Sequence, residues 1–258
     1  MRERELMEFV PNVEFMLVPC SSLCSNVAYQ RDCSAKFVNR VSNDFDKNLL
    51  KVVRCSERDG KLWVWDGQHT VEIVKRAAGS EDALVWCMIY KGLTYEEEAD
   101  LFSRQQQYEK SLMAYNITNA KLEARDPDTL MMENILSAYG FSFSVKIGDY
   151  KIRATGIIEK IFYKYGAECL SRVLQLISDT WDGKREYIRS AFLSAMAKFV
   201  DTYGEEFDDE SFTSRMMAIS MDEIVRESKS FAYGKRDYFR SIISFYNKRG
   251  GKRLRMNL

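Results

Sequence analysis

The sequence predicts an α+β (α/β) domain over residues 1–125, followed by an all-helical domain over residues 126–258 that ends in a basic tail. Three observations predict it. Up to Tyr108, short apolar runs of strand length alternate with segments whose apolar residues recur at helical spacing. From Asp126 onward the spacing is helical almost without interruption. Between the two, Asp126-Pro127-Asp128 combines a capping side chain, a first-turn proline and an acid at the positive end of a helix.

In chain order, residues 13–18 (VEFMLV), 49–53 (LLKVV), 61–65 (KLWVW) and 84–90 (LVWCMIY) read as strands, the third behind the turn signal Arg58-Asp59-Gly60. Residues 34–45 carry Phe37, Val38, Val41 and Phe45 on one helical face. Two more helices follow, 70–78 stopped by Gly79, and 94–108 opened by the capping box Thr94-x-x-Glu97. Such an order builds a compact domain around a small sheet. In the second half, helices are expected near 128–139, 153–165, 167–181, 184–203, 208–219, 221–232 and 235–247, with Gly140, Gly166 and Gly204 at C-terminal positions. Residues 141–150, with Phe141, Phe143 and Val145 alternating, read as a loop or a short hairpin.

Composition narrows the function. With 46% hydrophobic residues the chain can bury a core without staples. Lysine plus arginine and aspartate plus glutamate both number 38, so any charge argument is local. The six cysteines (Cys20, Cys24, Cys33, Cys55, Cys87, Cys169) form no CxxC pair, and with one histidine no common zinc spacing can be assembled. Dispersed, reduced thiols suit a cytoplasmic protein. The start, MRERELMEFV, lacks the apolar core of a secretory signal, and no apolar run approaches the roughly 18 residues that span a bilayer. No membrane partner is expected.

The single histidine lies in WVWDGQHTVEIVKR, residues 63–76. A strand that ends in Asp-Gly and feeds straight into a helix leaves unpaired backbone N–H groups at one point, backed by the positive end of the helix dipole. Gly67 permits a conformation or an approach that a side chain would forbid, and Gln68, His69 and Thr70 carry hydrogen-bond donors for a phosphate. His69 and Asp66 are the candidate acid–base pair. The plainer reading makes His69 a satisfied cap residue at a turn. Asp66 and Glu72 could bind Mg²⁺ through a nucleotide, but their spacing reads first as a turn residue and a solvated helix position.

The run WVWDGQHTVEIVKRA resembles the DGQHR-type signature of the ParB and sulfiredoxin superfamily. Tyr29-Gln30-Arg31 matches its early YQR element, and residues 93–99 (LTYEEEA) match its L-T-x-E-E-E-A segment. The chain is most similar to ParB-like N-terminal (DGQHR-type) domain proteins of phages and conjugative elements, over roughly residues 10–250. The resemblance implies a ParB/sulfiredoxin-like first domain in which Gly67, Gln68, His69 and Thr70 bind nucleotide phosphates, helped by Gln30, Arg31, Gln106 and Lys110. CTP or ATP with Mg²⁺ is the implied cofactor, since ParB proteins bind and hydrolyse CTP and some relatives are ATP-using kinases.

The chain also departs from the family. The reactive cysteine of sulfiredoxins falls at Gln68, so that chemistry is absent. The arginine after the histidine is Thr70, which removes a bidentate phosphate clamp. The later Asn-x-x-Arg element falls at Gln106 and Glu109, where the glutamate repels phosphate and Lys110 stands next to it. No compact carboxylate cluster supports a metal-dependent nuclease, and no metal ligand set is expected.

The neutral total conceals a basic end. Residues 224–258 hold ten lysines and arginines against Glu227 and Asp237. The closing KRGGKRLR run reads as glycine-broken and flexible, with Lys248, Arg249, Lys252, Arg253 and Arg255 as candidate phosphate-backbone contacts to DNA. The aromatic residues before it are read first as core. The acidic stretch 205–210 reads as a helix start. The expected function is a ParB-like nucleotide- or DNA-binding protein, with nucleic acid as partner and a protein partner or homodimer as further candidates. The alternatives are a nucleotide-dependent enzyme (a phosphotransferase, a CTPase or ATPase, or a nuclease) using the same turn, and a scaffold that kept the fold alone.

Overall fold

The structure is a computed structural model that describes residues 11–25, 30, 32–108, 112–231, 236–248, 250 and 252–255, with 106–108 described in their backbone. Two compact units divide it, Met1–Lys110 and Ser111–Leu258. The expected boundary at 125/126 therefore moves to 110/111. A helix that the spacing did not announce, Ala114–Glu123, packs on helices of the second unit.

The first unit contains β1 (Val13–Pro19), β2 (Leu23–Ser25), α1 (Ala35–Asn43), β3 (Val53–Arg58), β4 (Lys61–Asp66), α2 (Gln68–Ala78), β5 (Leu84–Lys91) and α3 (Tyr95–Tyr108). Among the described residues the strands form one mixed sheet in the order β1-β5-β3-β4-β2. β1 with β5 and β3 with β4 are antiparallel, whereas β3 with β5 and β2 with β4 are parallel. Asp59 and Gly60, at φ 55° and 68°, join β3 to β4 by a two-residue turn of the left-handed kind that matches strand twist.

One expected strand is displaced. Residues 49–53 do not form it: Lys47–Leu49 is a 3-10 turn capped by Asp46, whose carboxylate accepts from the Asn48 N–H at 2.8 Å. The strand begins only at Val53, because Leu49 finds no burial partner and stays exposed. β2 spans three residues, too few to show a period.

Alternation along the strands sends the two faces to different partners. On one, Val53, Cys55, Val64, Val85, Cys87 and Ile89 pack with Val71 and Val74 of α2. On the other, α3 brings in Glu98, which is fully buried. Its carboxylate accepts from the Ser56 hydroxyl and from Arg58 Nε at 3.0 Å. Arg58 lies over the Trp63 ring at 5.0 Å and the Tyr95 ring at 5.5 Å. The expected capping box is present: Glu97 accepts from Thr94 N–H at 2.8 Å, and Thr94 accepts from Glu97 N–H at 3.2 Å.

The second unit contains α4 (Ala114–Glu123), α5 (Pro127–Ala138), β6 (Ser142–Phe143), β7 (Lys151–Ile152), α6 (Thr155–Trp181), α7 (Ser190–Tyr203), α8 (Asp209–Met216), α9 (Met221–Ser230) and α10 (Tyr238–Lys248). Asp126 caps α5, accepting from the Thr129 N–H at 2.9 Å. α6 is broken at Gly166 (φ 88°, ψ 167°), where the spacing divides 153–165 from 167–181. β6 and β7 pair in parallel, so residues 144–150 are a connecting loop and 141–150 do not form a hairpin. Residues 184–189 are turns ahead of α7 rather than its start, because Tyr187 stacks on Trp181 at 4.4 Å and its hydroxyl donates to the Ile219 carbonyl at 3.1 Å. Burial pushes that phenol up to about 12. Among the described residues no helix is long and apolar enough to cross a membrane.

The buried Glu98 and the exposed cap Glu97 should differ sharply. Glu98→Ala is expected to destabilise the first unit by about 3 kcal/mol, because Arg58 and Ser56 lose their shared acceptor, whereas Glu97→Ala costs about 1 kcal/mol. Chemical denaturation followed by tryptophan fluorescence checks this, since Trp63, Trp65 and Trp86 all belong to this unit.

Candidate functional site

One residue separates β4 from α2. Gly67 takes it at φ 98° and ψ 15°, and a Cβ there would lie 3.1 Å from the Val53 α-carbon. Both the left-handed backbone and the close approach select glycine. Val71 N–H reaches the Gly67 carbonyl at 3.1 Å as the first bond of the helix, so the N–H groups of Gln68, His69 and Thr70 have no intrahelical acceptor. The helix has no side-chain cap and no acid in its first turn.

The flanking residues are held by neighbours. Asp66 accepts from Gln105 Nε2 of α3 at 2.6 Å and pairs with Arg54 of β3 at 3.7 Å. Arg54 lies over the Trp65 ring at 5.6 Å. His69 reaches sideways: its Nε2 accepts the Ser34 N–H at 3.2 Å, and its ring meets the edge of Phe37 at 5.4 Å. Ser34 is the N-cap of α1, with its hydroxyl accepting from the Phe37 N–H at 3.3 Å. Farther along, Ser42 donates to the Ile73 carbonyl at 3.4 Å and Arg76 to Asn39. The two helices therefore run together, and His69 joins their starts. With Nε2 an acceptor, its remaining donor is Nδ1–H.

Gln30 is also drawn to β4, where its Nε2 donates to the Val64 carbonyl. Its Oε1 is buried with no hydrogen-bond partner among the described residues. Arg31, Glu109 and Lys110 lie outside the described residues, and Gln106 is described only as backbone within α3. The structure thus brings together Asp66, Gly67, Gln68, His69 and Thr70. It adds Ser34, Arg54 and Gln105, which sequence reasoning missed. Only the adjacent Gln106 carried a motif signal, and Ser34 could have been found as a cap three residues ahead of Phe37.

The basic tail differs from expectation. Leu254 is buried, its N–H donates to Asn247 Oδ1 at 2.8 Å, and Asn247 Nδ2 returns a bond to the Leu254 carbonyl at 2.9 Å. The Tyr203 hydroxyl donates to the Arg255 carbonyl, and Arg215 to the Lys252 carbonyl at 3.1 Å. Residues 252–255 are pinned to the second unit, not flexible, because one apolar side chain fits the core. The side chains of Lys252, Arg253 and Arg255 stay exposed. Lys248 is tied to Glu227 at 2.9 Å; the Ser244 hydroxyl and then Lys248 hold that carboxyl below its ordinary range. Arg249 lies outside the described residues.

A family model described as a family of unknown function (DUF6551) matches residues 25–257. No curated protein matches the chain. Among solved structures, the chain is similar to C-terminally truncated chromosome-partitioning protein ParB from Caulobacter crescentus complexed with CTP-gamma-S, at 15% identity and a TM-score of 0.42, over 72% of this chain and 97% of that one. The same protein complexed to the centromeric parS site gives 12% identity and a TM-score of 0.28, over 91% and 100%. A likeness this slight carries no weight for the site, whose chemistry rests on the contacts above.

Two substitutions probe the junction in the absence of any ligand. Gly67→Ala is expected to cost about 1–2 kcal/mol, through backbone strain and contact with Val53. His69→Ala is expected to cost about 1 kcal/mol, through the bond to Ser34. Denaturant midpoints of the first unit measure both.

Proposed function

This chain belongs to DUF6551, a family whose function is not established, and we propose that it is a ParB-like protein that binds a nucleotide through the first unit and DNA through the second. The observation that carries the reading is the His69–Ser34 bond, which places the start of α1 beside the start of α2. Two helix starts with no acid in either first turn concentrate backbone N–H groups and positive dipole ends at one point. Gln68 and Thr70 add side-chain donors there. The buried Oε1 of Gln30 is an acceptor, suited to a sugar hydroxyl or a base amino group. CTP or ATP with Mg²⁺ is the nucleotide that the sequence resemblance implies, and a phage or conjugative element is the setting that goes with it.

Binding without efficient hydrolysis is the form the reading takes. Asp66 is engaged by Gln105 and Arg54, and His69 Nε2 by Ser34, so neither is a free general base. Thr70 replaces the arginine that would clamp phosphate. For DNA, the exposed Lys252, Arg253 and Arg255 stand on a backbone already pinned in place, which reduces the ordering cost of a contact.

Calorimetric titration with CTP, ATP and GTP plus Mg²⁺ tests the proposal, using Thr70→Asp as the variant. A first-turn acid favours the helix and repels phosphate, so the variant should melt no lower than the wild type and bind nucleotide about tenfold or more weakly. Equal binding by both proteins would remove the junction as the phosphate site. No binding by the wild type would leave the turn as a structural element only.

A further inference from the structure

The second unit carries a cleft whose lining shares no residue with the junction or the tail. It has a volume of about 450 Å³ and lies between residues 147–154 and 185–190. Lys151, Arg153, Arg185 and Arg189 line it, and no carboxylate does. In a chain with equal numbers of acids and bases, four cations of one sign around one cavity are a local bias that folding does not require. The guanidinium groups of Arg153, Arg185 and Arg189 have no ion-pair partner among the described residues, and Lys151 Nζ donates only to the Ser142 hydroxyl at 2.9 Å.

The scaffold beneath these cations is stitched. Tyr150 N–H donates to the Gly183 carbonyl at 2.8 Å, and the Tyr150 hydroxyl to Asp182 at 2.8 Å. Asp149 accepts from the Arg185 N–H at 2.8 Å. Asp149 and Asp182 thus fasten residues 147–154 to 182–190, and Glu186, the third acid of these segments, is absent from the cleft lining. Tyr150 (φ 58°) and Asp182 (φ 53°) are held in left-handed backbone that non-glycine residues rarely adopt. A Cβ at Gly183 would fall 2.5 Å from the Tyr150 ring, so glycine is what lets the segments meet. The cleft is also where α6 follows Ala154 and α7 follows Arg189, and neither helix has a side-chain cap or a first-turn acid. Two positive helix ends thus add to four cations.

We propose that this cleft is a phosphate-backbone site for double-stranded nucleic acid, held by Lys151, Arg153, Arg185 and Arg189. A polyanion fits better than a lone anion, because all four cations are exposed and spread along two segments instead of converging in a buried pocket. A duplex fits better than a single strand, because no aromatic ring lines the cleft to stack an unpaired base. The inference rests on the nucleic-acid reading above for its ligand class and gives that reading a different surface.

The test is fluorescence anisotropy of a labelled DNA duplex of about two helical turns, titrated with full-length protein between about 50 and 200 mM KCl. Arg153→Ala/Arg189→Ala is expected to weaken binding about tenfold or more and to flatten the log–log salt slope by about two, with an unchanged melting temperature. Arg153→Lys/Arg189→Lys should keep the slope. A wild type that binds duplex while the alanine variant shows the same affinity and slope overturns the cleft and leaves DNA binding to the tail, which Lys252→Ala/Arg253→Ala then reads out. A wild type that binds no duplex overturns the cleft and the DNA reading together. Competition by millimolar inorganic phosphate equal to that by duplex would also overturn it, as the mark of a small-anion site. Nucleotide titration of Thr70→Asp is independent of all these outcomes.

Discussion

β4 and α2 meet across a single residue, and that residue must reverse the backbone while lying against β3. Glycine at position 67 meets both demands: its φ of 98° is unfavourable for a side chain, and a Cβ would press on the Val53 α-carbon at 3.1 Å. The rest of the first unit follows from this contact. It sets the start of α2 at the sheet, with Val71 and Val74 facing the Val53, Cys55 and Val64 core. It holds Asp66 within reach of Arg54 and Gln105, and it aims His69 at the cap of α1. The donors that make the junction an anion site are by-products of a helix that has to start there.

The second unit solves a similar problem at Gly183. The Tyr150 ring lies where a Cβ would be, and the resulting closeness lets one backbone bond and two carboxylates fasten residues 147–154 to 182–190. Asp149 and Asp182 serve the fastening, and every charged residue of the cleft lining is a base. A chain with no net charge thereby acquires a positive surface at positions where the sequence has no run of basic residues. Glu98 shows the same logic inverted, since its carboxylate is buried because Arg58 and Ser56 follow it inside.

Local signals were read well where the physics is local. The Asp59-Gly60 turn, the Thr94–Glu97 capping box, the Asp126 cap and the break at Gly166 each depend on a few consecutive residues, and the structure contains all four. The displaced strand at 49–53 shows the limit. LLKVV has strand composition, but an apolar run becomes a strand only when a neighbour pairs with it, and Asp46 turns the chain first. The tail shows it again: KRGGKRLR is polar and glycine-broken, yet Leu254 alone finds a core position and Asn247 closes on both sides of its backbone.

By itself the sequence determined the two-part architecture, the alternating and then helical order of elements, and the presence of donors at the Gly67 turn, because periodicity, capping and glycine preference act between near neighbours. Only the tertiary structure decided what those donors face. That His69 serves α1, that Gln105 holds Asp66, and that Arg153 and Arg189 share a cleft all depend on contacts across more than thirty positions. Such pairings follow from packing and from which charges the fold neutralises, and neither leaves a mark in local spacing.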